Sequence, residues 1–148
     1  MAVQITGNLA QAKGLIERLR ADKDKAVYIG FPAEFDEPLE GAKNFNLSSL
    51  AAVLEFGNEH IPSRPFLRQT LSKNQGKYTA LFTQLFKQGL QIERIYEQLA
   101  VVAQGDVQLN IARGNWVANA KSTIKQKGSS KPLIDTGKMR QSVKGIVK

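Results

Sequence analysis

The 148-residue sequence predicts an α+β protein. The expected architecture is a small mixed or antiparallel sheet packed against several helices, with a long loop and a flexible basic arm, as one domain over residues 1–148. Three observations predict it. Apolar residues recur at helical spacing through residues 77–111. Two short segments, 25–31 and 142–147, have strand-like composition or alternation and lie far apart in the chain. Hydrophobic residues at 42% and charged residues at 23% are the balance of an ordinary globular protein.

The elements follow in order. Residues 3–6 suit a short strand. From Asn8, a plausible N-cap, Leu9, Ala12, Leu15, Ile16 and Leu19 recur at helical spacing. Lys25-Ala-Val-Tyr-Ile-Gly-Phe31 reads as a strand stopped by Pro32. Residues 32–46 hold Pro, Gly, Asn and a cluster of acids, the composition of a long loop or hairpin arm. Residues 47–56 form a short helix, capped near Ser48 or Ser49 and closed by Gly57.

Residues 57–68 are the most constrained stretch. Pro62 and Pro65 fix their own φ angles and push Ile61 and Arg64 into extended conformations. Ser63 then caps a helix whose first turn tolerates Pro65. Over residues 77–111 Gly89 divides the apolar stripe into two helices, and Gly105 is a softer point. Residues 113–134 read as a flexible basic arm, with 113–131 expected to order only on assembly. Residues 142–147 close the chain as a half-buried strand.

Composition excludes several chemistries. There is no cysteine, so disulfides, thiolate metal sites and cysteine nucleophiles are absent. A single histidine, His60, removes multi-histidine metal sites. No apolar run approaches the ~18–20 residues of a membrane span. The first residues lack a secretory pattern, so a soluble protein made in the cytoplasm is expected. No cofactor, metal or membrane contact is expected.

The net charge of +8 has one address. Residues 1–112 hold 12 basic and 12 acidic side chains, whereas residues 113–148 hold nine basic groups against Asp135 alone. Such asymmetry suits a surface that meets polyanion or an acidic partner patch, or a merely solvated tail. An acidic complement, Glu34, Asp36, Glu37 and Glu40, crowds one loop without the spacing of a calcium loop.

Three short motifs invite chemical readings. Asp135-Thr136-Gly137 resembles the tripeptide of retroviral-type aspartic proteases, but Lys138 and Met139 follow it and residues 77–111 are helical. A turn or short helix capped by Asp135 or Thr136, with Gly137 supplying a permissive backbone, is the structural alternative. Lys127-Gly-Ser-Ser-Lys131 and Gly137-Lys138 fail the phosphate-loop pattern. Trp116, in a basic arm, suits either stacking on a base or anchoring the arm to a core or neighbour.

Three segments occur in order: Leu54-Glu-Phe-Gly57, Ile61-Pro-Ser-Arg-Pro-Phe-Leu-Arg68 and Pro132-Leu-Ile-Asp-Thr-Gly-Lys-Met-Arg-Gln-Ser142. This set resembles the tail-completion (virion-morphogenesis, head–tail joining) proteins of long-tailed bacteriophages and prophages, over roughly residues 27–147. Ser63 stands where alanine is commoner in that family, and the first 25 residues match nothing in it. The resemblance implies a non-enzymatic virion protein that forms a ring, typically a homohexamer, at the head-proximal end of the tail. Its partners would be copies of itself, the tail tube protein and the head connector or neck proteins, with possible non-specific contact with DNA. A closed ring needs a patch on one subunit that meets a different patch on the next. The acidic loop with Glu34, Asp36 and Glu37 and the basic arm with Trp116, Lys125 and Lys127 are candidates for the two patches, and Asp135 is a further interface candidate. The 62–65 loop is expected to be exposed, with Arg64 and Arg68 reaching a partner's carboxylates and Pro65 presenting Phe66 to a pocket. The alternative is a loop packed within its own chain. The main rival function is a basic nucleic-acid-binding module; a more remote one is an aspartic protease.

Overall fold

The computed structural model describes residues 8–39, 44–114, 116 and 137–148. In chain order these form α1 (Leu9–Ala21), β1 (Val27–Gly30), a single 3-10 turn (Ala33–Phe35), α2 (Leu47–Phe56), α3 (Phe66–Lys73), α4 (Gln75–Lys87), α5 (Ile92–Arg113), α6 (Lys138–Ser142) and β2 (Lys144–Val147). The fold is α+β, with six helices and a two-stranded antiparallel sheet among the described residues. The strand expected over residues 3–6 and most of the basic arm lie outside the described residues.

Helix α5 is the axis. Its stripe of Ile92, Ile95, Ala100, Ala103, Val107 and Ile111 is buried along its length, because apolar residues three and four apart share one face. The N-terminal half packs on α4: Leu85, Ile92 and Ile95 form a small core with Leu81, Phe82, Phe86 and Leu90. The C-terminal half enters the main core, with Leu47, Ala51, Phe66, Val107, Ile111, Met139 and Val143. The break expected at Gly89 is where α4 ends. Gly89 sits at φ +88°, its N–H donates to Phe86 O at 3.0 Å and Leu90 N–H donates to Leu85 O at 3.2 Å, a Schellman closure that favours glycine. Gly105, by contrast, causes no break in α5.

The two strands pair at a separation of more than 100 residues, in the register Val27↔Val147, Tyr28↔Ile146, Ile29↔Gly145 and Gly30↔Lys144. Ala26 and Lys148 exchange both backbone hydrogen bonds, at 2.6 and 3.0 Å. In the alternating antiparallel pattern Gly145 N–H therefore points away from β1. Gln104 of α5 accepts it at 2.9 Å.

Helix α1 departs from expectation. Its N-cap is as predicted, with Asn8 Oδ1 accepting Ala10 N–H at 3.0 Å, but none of its residues is buried. Leu9, Leu15, Ile16 and Leu19 are 69, 44, 46 and 48% exposed. A polar anchor holds the helix instead: Arg18 donates to Leu90 O at 2.5 Å and its guanidinium lies 4.3 Å from the centre of the Phe86 ring.

Candidate functional site

The prolyl loop turns Arg64 and Phe66 inward and leaves Pro62 and Ser63 exposed. Glu55, at the end of α2, is 3% exposed and its carboxylate lies over the first turn of α3. It accepts Leu67 N–H at 2.9 Å and Arg68 N–H at 3.0 Å, two of the four amides that a helix start leaves unsatisfied. Arg68 Nε donates to the same carboxylate at 3.0 Å, and Arg68 Nη2 donates to Glu55 O at 3.1 Å. Ser63 Oγ donates to that carbonyl too, at 2.7 Å. Ser63 therefore ties the loop back to α2, and the cap of α3 comes from Glu55. Gly57, at φ +71°, makes this return possible, because a β-carbon there would stand 2.7 Å from Ser63 N.

The expectation of an exposed loop is corrected at two residues. Phe66 is fully buried, edge-on to Phe31 at 6.4 Å between ring centres. Arg64 is 4% exposed and engaged within the fold. Burial lowers the pKa of its guanidinium. The prolines set the rigidity of this loop, while the apolar Phe66 decides which way it faces. Arg68 remains exposed, but it reaches Glu55 of its own chain and stacks 4.9 Å from the exposed Phe56 ring.

The acidic loop divides into two roles. Asp36 accepts Ser48 N–H at 3.0 Å, Ser48 Oγ–H at 2.5 Å and Asn46 Nδ2–H at 3.2 Å. It thereby caps α2 across the loop, in place of the local Ser48 or Ser49 cap that the sequence suggests. These hydrogen bonds, Ser48 foremost, hold its carboxyl below the usual carboxylate range. Its contribution is therefore full above the unfolded-state pKa and fades as pH falls through the depressed folded value. Asp36→Ala should cost about 1 kcal/mol at neutral pH. The gap in Tm from the parent should close as the melts are repeated at falling pH; a gap independent of pH would refute the cap. Glu34 and Glu37 remain exposed, on either side of the half-exposed Phe35.

Around α6 and β2 the surface is cationic. Lys138, Arg140, Lys144 and Lys148 take part in none of the ion pairs among the described residues, whereas Lys25, Arg68, Lys77 and Arg94 are each paired. Two hollows flank β2. One, of about 260 Å³, is lined by Tyr28, Gly30, Pro32, Lys144, Ile146 and Lys148. The other, of about 370 Å³, brings Glu34, Phe35 and Glu37 together with Gln141, Ser142 and Lys144.

Trp116 packs against the main core of its own chain and donates from Nε1 to Asn110 O at 3.1 Å. This is the anchoring role, and helix α5 extends to Arg113 before it. Lys125, Lys127, Asp135 and Glu40 lie outside the described residues. His60 is exposed; the turn around it is held by Asn58 Oδ1, which accepts His60 N–H and Ile61 N–H at 2.8 Å each. Lys77 and Tyr78 both donate to Asp106, at 2.8 and 2.9 Å. Burial first, then Asp106, raises the Tyr78 phenol far above its usual range, so it stays protonated and donates to Asp106.

Among the described residues no three His, Cys, Asp or Glu side chains come together as a metal site, and no helix is long and apolar enough to cross a membrane. Sequence reasoning missed Glu55 and the exposed Tyr28. Comparison of the chain with family models, curated proteins and solved structures finds no match.

Proposed function

We propose that this chain is a structural, non-enzymatic subunit of a phage or prophage particle. In this reading it completes the tail as a ring of identical copies, typically six, seated between the tail tube and the head connector. The observation that carries the reading is the meeting of the described parts of the three family-like segments in one place. Glu55 of the first segment caps the helix launched by the second, and Phe66 of the second shares a core with Met139 of the third. Segments that resemble a family only by order and spacing thus act as one physical unit, which supports a shared fold rather than chance similarity.

A ring interface is heterologous. Glu34 and Glu37 beside Phe35 form an acidic, aromatic patch suited to a cationic patch on the next subunit. Glu34→Lys with Glu37→Lys should abolish the assembled species in sedimentation velocity. Both side chains are exposed, so the variant's stability should stay within about 0.5 kcal/mol of the parent. A parent protein that stays monomeric at every concentration, together with normal tails in particles lacking the chain, would refute the reading.

A further inference from the structure

We propose that the outer face of the β1–β2 sheet binds the phosphate backbone of duplex DNA. Side chains of one strand alternate between its faces, so Lys144, Ile146 and Lys148 project from the same side of β2. Tyr28, 55% exposed, lies directly across from Ile146, and the four residues line one shallow hollow. The opposite face is closed by α5, where Gly145 lies against Ala100. The exposed face therefore presents a phenol and an apolar side chain between two cations.

The two lysines stand about 13 Å apart along the strand, a span of about four phosphates along one strand of a duplex. Lys138 and Arg140 of α6 adjoin them in sequence, and no ion pair among the described residues neutralises any of the four. Glu34 and Glu37 share the neighbouring hollow with Lys144 without pairing to it. Residues 136–148 contain no acid at all. The sheet face itself carries cations and no carboxylate side chain, which suits a polyanion, with Glu34 and Glu37 at its border. A single ring cannot stack a run of bases, and although a two-stranded ribbon can enter a major groove, this face carries no Asn, Gln or Arg to pair bidentately with a base edge. Backbone contact to a duplex is what this face supports best. The inference does not depend on ring formation.

The test is fluorescence anisotropy with a labelled random-sequence duplex of about 30 base pairs, at about 50 to 200 mM salt. Lys144→Gln with Lys148→Gln should weaken binding about tenfold or more at the lowest salt. It should also reduce the log–log salt slope by about two, since each phosphate contact contributes ~0.9. Lys144→Arg with Lys148→Arg should restore both, and the Tm of each variant checks the fold. Replacing Lys121, Lys125, Lys127 and Lys131 by Gln should leave the effect of the Lys144/Lys148 pair intact. The proposal is overturned if the parent does not bind the duplex, or if the Lys144/Lys148 Gln variant binds like the parent. It is equally overturned if binding is lost only with the four earlier lysines. A single strand bound more tightly than the duplex, with that preference removed by Tyr28→Ala, would replace backbone contact with stacking. Sedimentation of the same variants separates the two readings. A parent that assembles but does not bind the duplex would sink the DNA proposal alone, and a monomeric parent that binds DNA would sink the ring alone.

Discussion

Glu55→Ala should lower the stability of the protein by about 3 kcal/mol, or a fall in Tm of about 10 °C for a chain of this length. The carboxylate is 3% exposed and accepts the Leu67 and Arg68 amides at 2.9 and 3.0 Å. Losing a helix cap costs about 1–2 kcal/mol, and leaving a shielded donor without its acceptor adds about 1–3 kcal/mol. The ion pair itself is the smaller part. The Arg68 side chain is 60% exposed and rehydrates once Glu55 is gone, so Arg68→Ala should cost below about 1 kcal/mol. Glu55→Gln retains an acceptor over the helix start and should fall between the two. Thermal melts of the three variants check the order. An Arg68→Ala variant as unstable as Glu55→Ala would mean that the pair, not the cap, holds α2 to α3.

Legibility in the sequence followed the range of the signal. The Asn8 cap, the end of α4 at Gly89 and the two strands are written in residues next to the feature they produce. Glu55 and Asp36 act on helix starts about 12 residues away, and nothing local marks a carboxylate as a cap for another helix. The stripe of α1 shows a different limit. Period 3.6 reports that a helix has an apolar face, and it does not report what covers that face; Leu9, Leu15, Ile16 and Leu19 are exposed where the stripe of α5 is buried. At the 62–65 loop the prolines restrict the backbone, but direction depended on Phe66 finding Phe31 and the main core. Arg64 followed it inward. The cationic face of β2 was legible as charge in the last quarter of the chain. Its partner Tyr28 was not, because that juxtaposition requires the strand register.

Gly145→Val is expected to damage the fold to a similar degree through a different cause. A β-carbon at residue 145 would stand 2.4 Å from Ala100 O and 2.8 Å from Ala100 C. These are backbone atoms in the middle of α5, whose Ala100 and Ala103 are 4 and 5% exposed, so the helix cannot yield as a flexible side chain would. The strand must move instead. Movement breaks the hydrogen bond from Gly145 N–H to Gln104 Oε1 at 2.9 Å and disturbs the pairing of Tyr28 with Ile146. Overpacking costs about 1–3 kcal/mol and the lost hydrogen bond about 1 kcal/mol, so a loss of about 3 kcal/mol is expected. Because β2 is only four residues long, the damage should appear first as detachment of the strand. Hydrogen exchange at the Tyr28 amide should accelerate at a temperature where amides of α5 remain protected. Gly105→Ala supplies the control in the same helix: nothing lies within 4 Å of its β-carbon position, so it should stabilise by about 0.5–1 kcal/mol. If Gly145→Val melts within a degree of the parent while Gly105→Ala behaves as stated, then β2 does not rest on the backbone of α5. The DNA-binding face proposed for the strand would then have lost the support that orients it.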